Sequence, residues 1–186
     1  MRKLIVFNSV SLDGYFTDKN NDMSWAHKQD PEWMAFVSDN ASGSAELVFG
    51  RVTYEMMAGY WPTPAAIKDA PAIAEGMNSL PKVVFSRTLD RAAWNNTRLV
   101  KGDLTDEVRK MKHEAGDDLL IFGSGSLVAQ LTDARLIDEY QIVLNAVVLG
   151  SGRTMFDGVR NRVNLKLGKS RPFKNGNVVL HYERAD

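Results

Sequence analysis

The sequence predicts an α/β fold: a mixed, mainly parallel sheet flanked by helices, with an antiparallel C-terminal hairpin. Three observations carry that expectation. The apolar runs Leu47-Val48-Phe49 and Leu119-Leu120-Ile121-Phe122 each enter a glycine-containing turn followed by apolar residues at helical spacing, the pattern of a strand feeding a crossover helix. Past Asp138 the apolar period changes to two, with Tyr140, Ile142, Leu144, Ala146 and Val148 on one face and Gln141 and Asn145 on the other. Two further β-rich stretches, Val163 to about Arg171 and Val178 to Glu183, flank Asn175-Gly176, a dipeptide suited to a hairpin turn.

The remaining elements follow in order. Residues 3–10 read as a first strand, stopped by the turn Ser11-Leu12-Asp13-Gly14. Asp30-Pro31-Glu32 opens a helix, with Asp as N-cap and Pro at its first position; the helix carries Trp33, Met34, Phe36 and Val37 and is expected to fade near Ser42-Gly43. After Gly50, a helix through Val52, Tyr54, Met56 and Met57 should end near Gly59. Pro62, Pro64 and Pro71 predict a loop over 60–72 with at most a brief helix, and Lys82-Val83-Val84-Phe85 resumes strand. Thr105 is the expected cap of a helix to about His113, with Gly116 as its stop. In open sheets of this kind ligands bind beyond the C-terminal ends of the strands, where both glycine turns fall.

Composition narrows the function. A chain of 186 residues, 44% hydrophobic and 25% charged, fits one globular domain spanning 1–186. Its 23 basic residues balance 23 acidic ones, so no net field attracts nucleic acid, none is expected as a partner, and an anionic ligand must be held by local groups. The absence of cysteine excludes disulfides, thiolate metal sites and a cysteine nucleophile. His27, His113 and His181 have no partners at metal-ligand spacing, so no metal is expected. The apolar run after Arg2 and Lys3 is interrupted at Asn8 and Ser9, too early for a signal-peptide core or a membrane span, and the expected compartment is the cytoplasm.

Three turns carry groups suited to an anion. Gly123-Ser124-Gly125-Ser126-Leu127 joins a strand to a helix start, whose free N–H groups and positive dipole end favour phosphate; spacing alone equally allows a plain tight connection. Val128 stands where the third glycine of a dinucleotide fingerprint would be, and no Gly-Lys-Ser/Thr follows, so neither an ordinary Rossmann turn nor a P-loop is present. Gly50-Arg51-Val52-Thr53 places a guanidinium at a helix N-terminus, where a cation opposes the macrodipole and needs an anion, unless it is simply a surface arginine. Ser86-Arg87-Thr88 adds another cation and two hydroxyls on the same edge.

In this order, together with Ser11-Leu12-Asp13-Gly14 and Leu149-Gly150-Ser151-Gly152-Arg153-Thr154-Met155-Phe156, these motifs resemble the dihydrofolate reductase-like superfamily, and more closely its bacterial branch related to the reductase domain of riboflavin biosynthesis. The resemblance implies NADPH as cofactor. Its phosphates would be held by Gly50, Arg51 and Thr53 and by Gly123 to Leu127, and its adenosine and 2′-phosphate met by Ser86, Arg87 and Thr88. It also implies hydride transfer to a C=N or C=O bond of a small pterin-like or ribosylaminopyrimidine-like heterocycle, with Ser9 on the first strand and Trp25 in the following loop lining the substrate site. Family members commonly pair, so a homodimer is expected. Two other readings are a non-catalytic nucleotide-binding protein that keeps the cofactor rim, and a reductase using NADH, against which only Arg87 and its neighbours argue. For the proton donor the candidates are Asp30 and Asp13; Pro31 makes Asp30 a natural helix cap, a role that lowers rather than raises a carboxyl pKa.

Overall fold

The computed structural model describes residues 1–27, 30–41 and 43–185. The chain runs β1 (Leu4–Ser11), β2 (Tyr15–Asp18), a 3-10 turn (Ser24–Ala26), α1 (Pro31–Ala41), β3 (Glu46–Gly50), α2 (Arg51–Tyr60), α3 (Pro64–Asp69), α4 (Pro71–Ser79) and β4 (Lys82–Phe85). It continues with β5 (Thr97–Val100), α5 (Leu104–His113), β6 (Leu119–Phe122), α6 (Gly125–Asp133), β7 (Glu139–Asn145), β8 (Gly152–Thr154), β9 (Leu165–Pro172) and β10 (Val178–Arg184). Eight strands form one sheet in the order β5-β4-β3-β6-β1-β7-β10-β9, parallel from β5 to β7 and antiparallel from there outward. The expected mixed sheet is therefore the observed one.

Strand alternation divides the core. Leu4, Val6, Val48, Val83 and Ile121 face Val108 and Met111 of α5 and Leu127, Val128 and Leu131 of α6. Leu47, Phe49 and Val84 face Tyr54 of α2, Ile73 and Met77 of α4, Ala41 of α1, and Trp94. Farther along that second side, Trp33 and Phe36 of α1 pack with Phe173, Val143 and Val179. The parallel strands are buried on both faces, which is why they read as short unbroken apolar runs.

Several local expectations are corrected. The stretch over 60–72 was expected as loop, yet α3 and α4 occupy most of it and continue to Ser79, because Pro64 and Pro71 stand at helix starts, where the missing N–H costs nothing. The cap of α5 is Asp103, not Thr105: its carboxylate accepts from Thr105 N at 2.9 Å and Asp106 N at 3.1 Å, and the helix stops at His113 before Gly116 is reached. The alternating strand past Asp138 ends at Asn145 rather than Val148. Asn145 is fully buried and its Nδ2 donates to the carbonyls of Val10 and Val143, while Val148 is exposed. Strand β5 and the β2–β8 pair were not expected, being too short to show a period. Helix α1 ends at Ala41, beside the Ser42-Gly43 stretch where it was expected to fade; Ser42 itself, and Lys28 and Gln29 of the loop leading into that helix, lie outside the described residues.

The edge carrying the strand N-termini is held by buried ions. Arg2 donates to Glu46 at 2.8 Å and to the Asp117 carbonyl, and Lys112 bridges Asp138, whose Oδ2 also accepts from Leu4 N at 2.7 Å. Lys82 is different, since it is 1% exposed and has no ion-pair partner among the described residues. Its Nζ donates to the carbonyls of Leu80 at 2.6 Å and Asn78 at 3.2 Å, at the C-terminus of α4, and lies 4.6 Å from the Trp94 ring centre. Burial pulls this amine down to about 8 from 10.5. Between those two values the unfolded chain holds a proton that the folded chain has released, so stability rises with pH across that window. Comparing chemical denaturation of the wild type with Lys82→Met, we expect the difference to shift toward the wild type by roughly 1–2 kcal/mol between pH 7 and 9.5.

Candidate functional site

Because β1, β3, β4, β6 and β7 are parallel, their C-terminal ends share one rim, and the turns leaving β3 and β6 interlock there. Gly50 N donates to Ser124 Oγ at 2.8 Å, and Ser124 N donates to Thr53 Oγ1 at 3.0 Å. Asn8, in the middle of β1, closes the third side. Its Oδ1 accepts from Gly123 N at 2.6 Å, and its Nδ2 lies 3.3 Å from the Gly123 carbonyl and 3.0 Å from Met155 Sδ. Gly123 and Ser124 are consecutive left-handed residues, φ 58° and 56°. A Cβ on Gly123 would come within 3.0 Å of Thr53 Cγ2, so glycine is demanded twice there, by conformation and by space. At Ser124 the same backbone carries a side chain, a strain compensated by the bridge its hydroxyl makes.

Two helix N-termini meet at this rim. The first-turn N–H groups of Arg51 and Val52 on α2, and of Gly125 and Ser126 on α6, have no acceptor among the described residues, and neither helix has a side-chain cap. Thr53 and Ser124 each accept one bond within the protein and keep a hydroxyl proton to give. Leu127 N is already bonded to the Ser124 carbonyl, and the Leu127 side chain is buried in the core, so of the five residues at this turn it has the least to offer a ligand. The Phe16 ring of β2 closes over α6, such that a Cβ on Gly125 would approach it to 2.8 Å.

The outlying residues behave individually. Arg51 is half-exposed and its guanidinium is 2.9 Å from Glu55 on the next helical turn, so the compensating anion the sequence called for is present within α2. Arg87 is exposed and has no ion-pair partner among the described residues, while Ser86 Oγ accepts from Thr88 N and Leu89 N and lies 3.4 Å from Thr88 Oγ1. Beyond this turn a groove of about 610 Å³ opens between α2 and segment 89–95, floored by Tyr54 and Trp94 and edged by Arg91; it includes no residue of the two glycine turns.

Both acid candidates hold backbone. Asp30 Oδ1 accepts from Trp33 N at 2.9 Å, the bond of a helix N-cap. Asp13 receives the Ser11 hydroxyl at 2.6 Å, Gly150 N at 2.7 Å and Leu149 N at 3.1 Å, and these bonds, the hydroxyl first, hold its carboxyl below the ordinary range. That is the wrong direction for a general acid. Ser9 is half-buried on the α1 side of β1, paired with Val143. Trp25 lies where the chain passes between sides: Met23 packs with the α5 and α6 cluster, α1 lies on the other face, and the indole Nε1 donates to the Asp22 carbonyl at 3.1 Å. The described contacts do not bring Ser9 and Trp25 together.

Sequence reading missed Asn8, Phe16 and Met155. Only Asn8 left a signal, as an amide inside an apolar buried strand, which demands partners.

A mainly parallel sheet of this order, with its glycine turns at one rim, is the dihydrofolate reductase-like fold. The chain superposes on dihydrofolate reductase from Enterococcus faecalis, a structure complexed with NADP(H), with a TM-score of 0.66 at 16% identity over 99% of this chain and 97% of that one. It superposes on a protein of Shewanella sp. PV-4, described as a riboflavin biosynthesis protein, with a TM-score of 0.76 at 26% identity over 99% of both chains. Residues 2–179 match the RibD C-terminal domain, and the chain belongs to that family, a reductase-like branch of the fold. It is 30% identical to YyaP of Bacillus subtilis over 181 residues, 97% of this chain and 94% of YyaP.

Asn8 supports the rim more than any other single side chain. Removing it leaves the Gly123 N–H and carbonyl without their partners, at about 1–3 kcal/mol for each buried group. We expect Asn8→Ala to lower the thermal midpoint by several degrees, measured by differential scanning calorimetry, and Asn8→Asp, which still accepts from Gly123 N, to lose less.

Proposed function

We propose that the protein is an NADPH-dependent reductase acting on a small heterocyclic substrate. The observation that carries this reading is the pair of cross-bridged helix N-termini, α2 and α6, with unspent N–H groups on one rim beside the end of β1. That donor set fits a diphosphate: two dipole ends, four N–H groups and two hydroxyl protons, with no carboxylate among them. Arg87, which has no ion-pair partner among the described residues, and the hydroxyl of Thr88 are the groups suited to a further phosphate at the adenosine end. When bound, NADPH supplies the hydride. The chain's own residues would position and shield, with Ser9 on β1 and Trp25 in the loop that follows as separate candidates for contact with a flat C=N or C=O substrate. With Asp13 and Asp30 both engaged by backbone N–H groups, water supplies the proton to the reduced centre.

Adding NADPH to the purified chain is expected to raise its melting temperature and shift nicotinamide fluorescence. No shift in either at millimolar cofactor rejects the reading, and binding without turnover of any pterin, pyrimidine or carbonyl compound would favour a nucleotide-binding protein without catalysis. Because a hydrogen bond to a charged group is worth ~1.5–3 kcal/mol, Arg87→Ala should weaken NADPH binding roughly tenfold to a hundredfold and leave NADH unchanged. Equal loss for the two cofactors assigns Arg87 to a shared part of the dinucleotide or to the fold.

Asp30→Asn separates capping from acid catalysis, since Asn caps about as well as Asp but has no carboxyl proton. We expect the melting temperature and kcat to stay close to wild type. A large fall in kcat at unchanged stability would restore Asp30 as the proton donor.

A further inference from the structure

The antiparallel pair of β2 and β8 packs against the start of α6, and its register is fixed at three points. Asp13 holds the N–H groups of Leu149 and Gly150 where the chain approaches β8. Gly152 lies so close to β2 that a Cβ there would come within 2.0 Å of the Thr17 carbonyl oxygen. Just past β8, Met155 is 1% exposed and its sulfur lies 3.0 Å from Asn8 Nδ2. Between these points Arg153 is paired with Thr17, and Thr154 with Tyr15. Phe16 is therefore the extra residue of a bulge, free of the ladder. Its ring is 6% exposed, closes over Gly125 at the start of α6, and has the Arg153 guanidinium 5.9 Å from its centre.

Arg153 is an exposed cation with no ion-pair partner among the described residues. Its one polar contact is with Asn21 Oδ1, at 3.5 Å the limit of a hydrogen bond. The other cations near the rim are placed differently. Arg51 is already paired with Glu55, and Arg87 follows β4, two strands from β6 in the sheet. The N–H groups and hydroxyls of the rim are neutral donors, a diphosphate is a dianion, and the chain has no net positive charge to offset it. We propose, on the reading of the rim as a dinucleotide site, that Arg153 supplies the positive charge to the cofactor diphosphate, reaching the α6 N-terminus from its place on the Phe16 ring. Arginine suits this position, because a planar guanidinium stacks on an aromatic ring with its face and keeps its N–H edge for two phosphate oxygens. The ring attracts the cation without consuming a hydrogen bond. Held there beforehand, the side chain loses less rotamer freedom when an anion arrives.

Arg153 and Arg87 then act on different parts of the cofactor, and titrations of NADPH and NADH followed by nicotinamide fluorescence separate them. Arg153→Ala is expected to weaken both cofactors alike, by roughly tenfold to a hundredfold, the worth of one hydrogen bond to a charged group. Added salt should weaken binding to the wild type more steeply than to Arg153→Ala. Arg153→Lys keeps the charge without the planar stack and is expected to recover part of the affinity. Where NADH binds too weakly to titrate, displacement of NADPH by adenosine 2′-monophosphate, which has no diphosphate, replaces it and should show the same inhibition constant in both proteins. Arg153 is exposed, so the melting temperature without cofactor should stay at the wild-type value. Should Arg153→Ala be destabilised, Arg153→Gln serves instead, with the same loss expected. A wild type that binds neither cofactor rejects the dinucleotide reading of the rim and this role of Arg153 with it. A wild type that binds NADPH, with Arg153→Ala losing nothing or losing only what depends on the 2′-phosphate, overturns the role of Arg153 and leaves the dinucleotide reading standing.

Discussion

The two-way amide contact between Asn8 and Gly123 holds the rim in register. A left-handed pair, Gly123-Ser124, is unfavourable on its own, and Ser124 pays for its conformation with about 1 kcal/mol of backbone strain. Three contacts compensate: Asn8 grips the glycine peptide from β1, Ser124 Oγ takes the Gly50 N–H from β3, and Thr53 takes the Ser124 N–H from α2. The turn after β6 is thus bonded to both strands beside it and to the helix on the opposite face. Had the backbone followed a relaxed right-handed course, α6 would start elsewhere and its open N–H groups would not stand beside those of α2.

This arrangement separates the two ends of the sheet by chemistry. At the strand N-termini, charges are matched inside the protein: Arg2 with Glu46, Lys112 with Asp138, and Lys82 against helix-end carbonyls. Such pairs, once buried, are costly to break and have nothing left to offer a ligand. At the C-terminal rim the backbone donors of α2 and α6 and the Arg87 guanidinium are left over. Backbone donors left over at one rim are a local condition for holding an anion, which a chain without net charge needs.

The sequence made the parallel strands β1, β3, β4 and β6 legible, because strands buried on both sides must be short apolar runs, and β3 and β6 each led into a glycine turn. The pairings that shape the site were less visible. Thr53 and Ser124 were readable as hydroxyls near an anion, but not as each other's partners across 71 residues of chain. Prolines misled over 60–72, since Pro64 and Pro71 can begin a helix as well as forbid one, and only the Thr63 cap would have decided the first case. Alternation past Asp138 correctly gave a strand and wrongly extended it, because period two does not record that an Asn side chain will bond the neighbouring strand's carbonyl and end the ladder. Strands of three or four residues, β2, β5 and β8, are too short to have a period at all.

The loop between β1 and α1 is rich in carboxylates, and they serve as anchors for its backbone. Four aspartates lie along it, and each is engaged by backbone. Asp13 receives Leu149 and Gly150, Asp18 receives Asn20 and Asp22, Asp22 receives Ser24, and Asp30 receives Trp33. The hydroxyls of Ser11 and Ser24 reinforce two of these, and both Asp13 and Asp22 are held below the usual carboxylate range as a result. At Asp13 and Asp22 the carboxylate is stabilised in its charged form, so the bonds that fix the loop there also make these two poor proton donors. The loop is thus fixed from within, its aspartates turned to backbone N–H groups.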